Sequence, residues 1–312
     1  METGRSSHLC RVAFALGLLA VALSVRLPSL DQRPMHGDEA NQAVRTGMLL
    51  DKGSYHYDPT DHHGPVLYFA ALPFCRATAK TFAETTEWNY RLVPVVFSCL
   101  TLILMLGLGA RRDEGLFANA SGLSFAALLT ALSPAMVFYN RFFIQESMFV
   151  TFLTGMLVCG IAYVRTRVAE DACSQRHRAV YAAVFGVFAG LALATKETVV
   201  LSFAAAAAAA LVACGFRRLL RAWNTRDALL ACGCAVLVAA VLYSSFLTYP
   251  KGLYDALFST FSAYVTRATA VPEHQHPWNF YLKILFWFKY GRGPVWSEAG
   301  LLLPALVAMA AA

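Results

Sequence analysis

The sequence predicts an all-α integral membrane protein, a polytopic helical bundle of about eight spans with surface helices in its first outer loop. Three observations predict it. Of 312 residues, 58% are apolar and 14% charged, and the mean hydropathy of +0.51 lies on the membrane side of ordinary globular usage. Apolar runs near the roughly 20 residues that cross a bilayer recur along the chain. Arginines cluster between alternate runs, the pattern of a topology signal.

The first run, Val12 to Val25, follows Arg5 and Arg11 as a signal peptide would, yet no A-x-A site precedes the polar stretch, so 11–28 is read as a retained first span. Further spans are expected at 91–110, 118–138, 147–164, 179–195, 198–216, 228–249 and 295–312. No aqueous domain or repeat interrupts them, and residues 1–312 read as one transmembrane domain. The alanine run Ala204 to Ala210 suits close helix packing. A ninth apolar patch, Val66 to Phe74, is short and is followed by Arg76 and Lys80. Residues 66–82 are expected as a helix lying along or dipping into the outer surface.

Orientation follows from the arginines. Arg5 and Arg11, Arg111 and Arg112, the set Arg165, Arg167, Arg176 and Arg178, and the set Arg217, Arg218, Arg221 and Arg226 share one side, which the positive-inside rule makes cytoplasmic, N-terminus included. The net charge of +7 therefore reads as topology, and no nucleic-acid partner is expected. The cysteines sit mostly in or beside apolar runs and form no secreted disulfide framework. Two long polar segments, 29–90 and 250–294, and two short turns, Asn140 to Glu146 and Lys196 to Glu197, face outward.

The chemistry-bearing residues lie in those four places. Asp38-Glu39 puts paired carboxylates just above the bilayer, suited to a general base for a lipid-delivered substrate. The plainer reading makes Asp38 the N-cap of a helix that begins at Glu39 and shows Ala40, Ala43, Val44 and Gly47 on one face. Asp58 to Tyr68 holds Asp61, His62 and His63 before Gly64-Pro65, either a proton, phosphate or metal cluster or a solvated turn. Arg141 with Glu146, and Lys196 with Glu197, read as interfacial anchors, but each cation shares a very short turn with a carboxylate. An aromatic interface belt accounts for Trp278, Phe280 and Tyr281, though not for His274 and His276. With no phosphate loop and no dinucleotide fingerprint, any reaction draws on an already activated substrate.

In order and spacing, Asp38-Glu39, Asp61-His62-His63-Gly64-Pro65, Arg141 to Glu146 and Thr195-Lys196 resemble the GT-C membrane glycosyltransferases. That superfamily includes the protein O-mannosyltransferases and the aminoarabinose transferase of lipid A. Asp-His-His-Gly-Pro, with His276-Pro277-Trp278, most resembles the prokaryotic flippase-activity-associated family; Gly64 stands where other members have a proline. The resemblance covers residues 26–283. It implies Asp38 as the catalytic carboxylate, Glu39 as its neighbour for acceptor contact, and His63, Arg141 and Lys196 facing the donor phosphate. Asp61, His62, Glu146 and His276 are expected to contact substrate.

The expected reaction is inverting transfer of a sugar from a polyprenyl-phosphate donor to a hydroxyl of a lipid, glycan or protein acceptor, on the outer face of the cell membrane. The rival class is a transporter or flippase component for lipid-linked sugars; against it, the spans carry almost no charge in mid-membrane. No cofactor is expected. A divalent metal stays open, since related lipid A transferases suggest one near the position of His62, but His36, His62, His63, His274 and His276 show no ligand spacing within one element.

Overall fold

The computed structural model describes residues 2–61, 63–109, 120–168, 172–260, 262–263, 266 and 276–311. Every expected span has its helix. α1 runs over Glu2–Arg26. The first outer loop then folds into α2 (Gly37–Lys52) and α3 (Val66–Arg76) before α4 (Glu87–Gly109) enters the bundle. The run expected at 118–138 is broken into α5 (Ala120–Leu132) and α6 (Pro134–Tyr139). Pro134 supplies no N–H for a continuous helix, and the Ser133 hydroxyl accepts from the Met136 N–H at 3.1 Å to start the second piece.

α7 (Glu146–Val168), α8 (Ala172–Leu193), α9 (Val199–Cys214), α10 (Phe216–Ala222) and α11 (Thr225–Tyr243) follow. α8 packs between α7 and α11, closely enough that a Cβ on Gly186 or Gly190 would meet the α11 backbone at Ala231 or Ala235. Small residues of this kind let helices approach in lipid. At the arginine-rich end, Asp227 accepts from Tyr163 at 3.0 Å and from Arg178 at 2.8 Å, tying the same three helices together. α10 bends 104° away from α9 at Gly215, so the expected span 198–216 stops there and Arg217, Arg218 and Arg221 leave its axis.

α11 stops at Tyr243, short of the expected 249, because Ser245, Phe246 and Leu247 are all left-handed. That turn puts the Ser245 hydroxyl on the Tyr55 carbonyl. The second outer segment contains α12 (Lys251–Tyr254), a π-helical turn (Asp255–Ser259), α13 (Phe280–Phe286) and a two-stranded hairpin of β1 (Phe288–Lys289) and β2 (Val295–Trp296); α14 (Ala299–Ala311) follows.

Four helices are long and apolar enough to cross a membrane among the described residues, at Leu9–Arg26, Glu87–Leu108, Glu146–Thr166 and Thr225–Tyr243, with α9 and α10 a fifth as a bent pair. Shorter apolar helices occupy the remaining expected positions. The protein is a multi-pass membrane protein. α3, expected on the outer surface, packs tightly against α2 and α4, with Leu67, Tyr68, Ala71 and Cys75 fully buried. Its 11 residues span about 16 Å, half of a bilayer core.

Candidate functional site

The site begins with how α2 is capped. Its N-cap is His36, not Asp38. The His36 ring accepts from the Asp38 N–H at 3.3 Å while the Glu39 carboxylate accepts from the His36 N–H at 3.1 Å, a capping box that starts the helix at Gly37. The buried face is Glu39, Gln42, Ala43, Thr46, Gly47 and Leu50, rotated from the expected one so that Val44 is outside. Asp38, released from capping, projects outward with its side chain 72% exposed and 3.3 Å from His36 Nδ1.

Glu39 turns the other way and is 0% exposed. Its Oε1 accepts from Arg91 Nε at 2.8 Å and the Phe143 N–H at 3.0 Å. Its Oε2 accepts from Arg91 Nη2 at 2.9 Å and Arg33 Nη2 at 3.0 Å as well as from His36. The acceptor contact expected of Glu39 does not survive this geometry, because every lone pair is committed inside the protein. Burial by itself would raise its pKa, but the hydrogen bonds from Arg91, Phe143 and His36 outweigh it and hold the carboxyl below its ordinary 4.5. A depressed carboxylate pKa stabilises the fold above the ordinary value, and that stability is lost as pH falls through the folded-state value. The melting temperature is therefore expected to fall with acid below pH 4.5, and less steeply in Glu39→Gln, which thermal unfolding at stepped pH will measure.

Asp38 lies at the rim of a cavity of about 110 Å³ lined also by Asn41, Gln42, His63, Ile144, Gln145 and Glu146. Gln42 Oε1 accepts from Tyr68 Oη at 2.7 Å and Gln145 Nε2 at 3.0 Å, an arrangement that leaves the Gln42 amide nitrogen as its remaining donor. The other wall comes from a distant turn. Gly64 N–H donates to Thr195 O at 3.1 Å and Val66 N–H to Ala194 O at 3.2 Å, drawing 63–66 against the end of α8. A Cβ on Gly64 would run into the Ala194 carbonyl, which is the physical reason for glycine here in place of proline.

Through that clasp, Lys196 Nζ meets Glu146 at 2.7 Å and His63 Nδ1 lies 3.7 Å from Glu197. The carboxylates thus exchange partners relative to expectation, and Lys196 answers Glu146 across the cavity wall instead of its own neighbour. Arg141 is not brought here. It donates to the Pro28 carbonyl at 2.6 Å and to Val25 and Ser29 at 3.4 Å, holding the chain after α1, and lines a second cavity. His276 is exposed and stacked on Phe280 with centroids 3.8 Å apart, and it lines neither cavity. His62 and the Asp61 side chain lie outside the described residues, as do Arg267, His274 and Gln275. Among the described residues, no three His, Cys, Asp or Glu side chains converge as a metal cluster.

Sequence reasoning missed Arg91, Arg33, Gln42 and Gln145. Arg91 carried a signal, being a charge in the opening turn of an otherwise apolar span. The two glutamines carried none.

No family model and no curated protein matches the chain by sequence. Solved structures do. ArnT from Cupriavidus metallidurans in the apo state superposes with a TM-score of 0.61 at 18% identity, over 88% of this chain and 47% of that one. The chain has the GT-C fold. The same ArnT bound to undecaprenyl phosphate gives 0.57 at 18% identity over 80% of this chain and 44% of that one. The S. cerevisiae protein O-mannosyltransferase Pmt1-Pmt2 complex bound to the sugar donor gives 0.51 at 13% over 81% and 34%. This GT-C chain spans less than half the length of each. The fold implied by the outer-loop resemblance is thus the fold that the helices adopt.

Proposed function

We propose that the protein is a membrane glycosyltransferase that moves a sugar from a polyprenyl-phosphate donor to an acceptor hydroxyl on the outer side of the cell membrane, with inversion. The observation that carries this reading is the cavity lined by Asp38, His63 and Glu146, with Lys196 held on Glu146 from behind, all on a chain of GT-C fold. Support also comes from the solved neighbours, one of which holds undecaprenyl phosphate and another a sugar donor.

In this reaction the Asp38 carboxylate takes the proton of the acceptor hydroxyl as its oxygen attacks the anomeric carbon, on the face opposite the departing phosphate. The bond from that carbon to the phosphate oxygen breaks, and the lipid leaves as its phosphate monoester. Lys196 and His63 meet the donor phosphate, which is anionic as bound and gains charge as the bond breaks. Glu146 and Glu197 hold these two donors in place, Gln42 and Asn41 offer amides to sugar or acceptor hydroxyls, and Glu39 positions Asp38 by fixing the start of α2.

The test is to incubate purified protein with a panel of polyprenyl-phosphate sugars and candidate lipid, glycan and protein acceptors, measuring polyprenyl phosphate release. Acceptor-dependent release supports the reading; none from any pair, with protein that unfolds cooperatively, sinks it. Lys196→Ala is expected to raise the donor KM about 10- to 100-fold, the scale of one hydrogen bond to a charged group, leaving acceptor KM nearly unchanged. Orientation is checked separately in a cysteine-free background. An impermeant thiol reagent should label Thr60→Cys in intact cells and spare Arg221→Cys, and the reverse pattern would move the site to the cytoplasm.

A further inference from the structure

The second cavity, of about 270 Å³, shares no lining residue with the first and has a different character. Arg33, Arg91 and Arg141 line it together with Val137, Phe138 and Trp296. Glu39 answers Arg33 and Arg91, while Arg141 has only backbone carbonyls; Glu298 accepts from the Ala135 N–H at 2.6 Å, and Asp31 lies in the loop between Leu30 and Arg33. The lining itself is cationic, with three guanidiniums and no carboxylate. Donors are in excess. Among the described residues, Arg33 spends only Nη2, on Glu39, and Arg141 only its two terminal nitrogens, on carbonyls. The Arg33 guanidinium lies 4.8 Å from the Phe142 ring centroid and 5.9 Å from that of Phe138.

The cavity sits where two apolar helices end, beside the last turn of α1 and the α5–α6 break, with Trp296 at its edge. A planar, partly unspent guanidinium pair suits a phosphate, and an apolar wall at the membrane boundary suits the glycerol and first methylenes behind one. We infer that this cavity holds the phosphate head group of an anionic membrane phospholipid, with the acyl chains left in the bilayer. Such a lipid bridges Arg33 and Arg141, joining the loop after α1 to the turn before α7. Through Arg33 and Glu39 it also braces the start of α2. The inference stands whether or not the transfer reaction does.

The test reads melting temperature in neutral detergent with phosphatidylglycerol, phosphatidylcholine, inorganic phosphate or polyprenyl phosphate added. Phosphatidylglycerol is expected to raise it by about 3 °C or more at saturation, with no such shift from phosphatidylcholine or inorganic phosphate. The shift should vanish in Arg33→Gln and in Val137→Trp, the latter filling the cavity without removing a hydrogen bond, while any shift from polyprenyl phosphate persists in both. No shift from phosphatidylglycerol, an equal one from inorganic phosphate, or a phosphatidylglycerol shift that survives both variants would overturn the inference. Loss of the polyprenyl phosphate shift in the variants overturns it as well, since the cavity would then belong to the donor. Should neither variant fold, mass spectrometry of wild-type protein decides: retained phosphatidylglycerol supports the site and its absence refutes it.

Discussion

Asp38→Asn is expected to lower sugar transfer by about two to four orders of magnitude, the range assigned to a general base, with expression and melting behaviour close to wild type. Asparagine caps helices about as well as aspartate, so the substitution would have spared an N-cap in any case. His36 and Glu39 perform the capping, and the Asp38 side chain projects to solvent at the cavity rim. Asparagine preserves its shape and removes only the basic oxygen. Apparent donor and acceptor affinities should change little, because the lost interaction forms as the proton moves. Undiminished transfer by a well-folded Asp38→Asn protein would remove this residue from the mechanism and return the transporter reading to first place.

The largest stability effect belongs to Arg91. Its Nε and Nη2 hold Glu39, and its terminal nitrogens also donate to the carbonyls of Leu30 at 2.6 Å, Arg33 at 2.7 Å and Pro34 at 3.2 Å. One buried guanidinium thus fastens the loop after α1 and the first turn of α2 to α4. Arg91→Met leaves a fully buried carboxylate without its main partner, and removing one side of such a pair destabilises by about 3–5 kcal/mol. For a protein of 312 residues the melting temperature should fall by about 5–8 °C. The double variant Arg91→Met/Glu39→Leu should recover part of the loss, because an apolar pair of similar volume avoids the stranded charge, though the loop carbonyls still lose their donor. A drop under about 1 kcal/mol in the single variant would mean that water reaches Glu39 and that the pair is not the fastening described.

Much of the fold was legible in the sequence for a local reason. Crossing a bilayer demands consecutive apolar residues with their backbone groups satisfied within the segment, so helix positions can be counted along the chain. α1, α4, α7 and α11 appear where those runs lie, and the breaks that were misplaced, at Pro134, Gly215 and Ser245, depend on single-residue backbone preferences inside otherwise apolar stretches. The loops that line the candidate site were legible as well, because polar residues clustered at the ends of spans stand out against an apolar background.

What only the tertiary structure decided is which polar group faces which. Consecutive residues on a helix point about 100° apart, so Asp38 and Glu39 could not share one role, yet nothing local says which of them turns inward. Arg91, 52 positions along the chain from Glu39, makes that choice. Likewise Glu146 and Glu197 each sit in a turn with a cation of their own, Arg141 and Lys196, and the chain by itself offers no reason to look further. The clasp of residues 63–66 on the end of α8 brings Lys196 to Glu146 and His63 near Glu197, while Arg141 is drawn off to backbone carbonyls beyond α1. Apolar periodicity is written residue by residue, whereas the partner of a charge is set by which surfaces pack together, and that is a property of the assembled bundle alone.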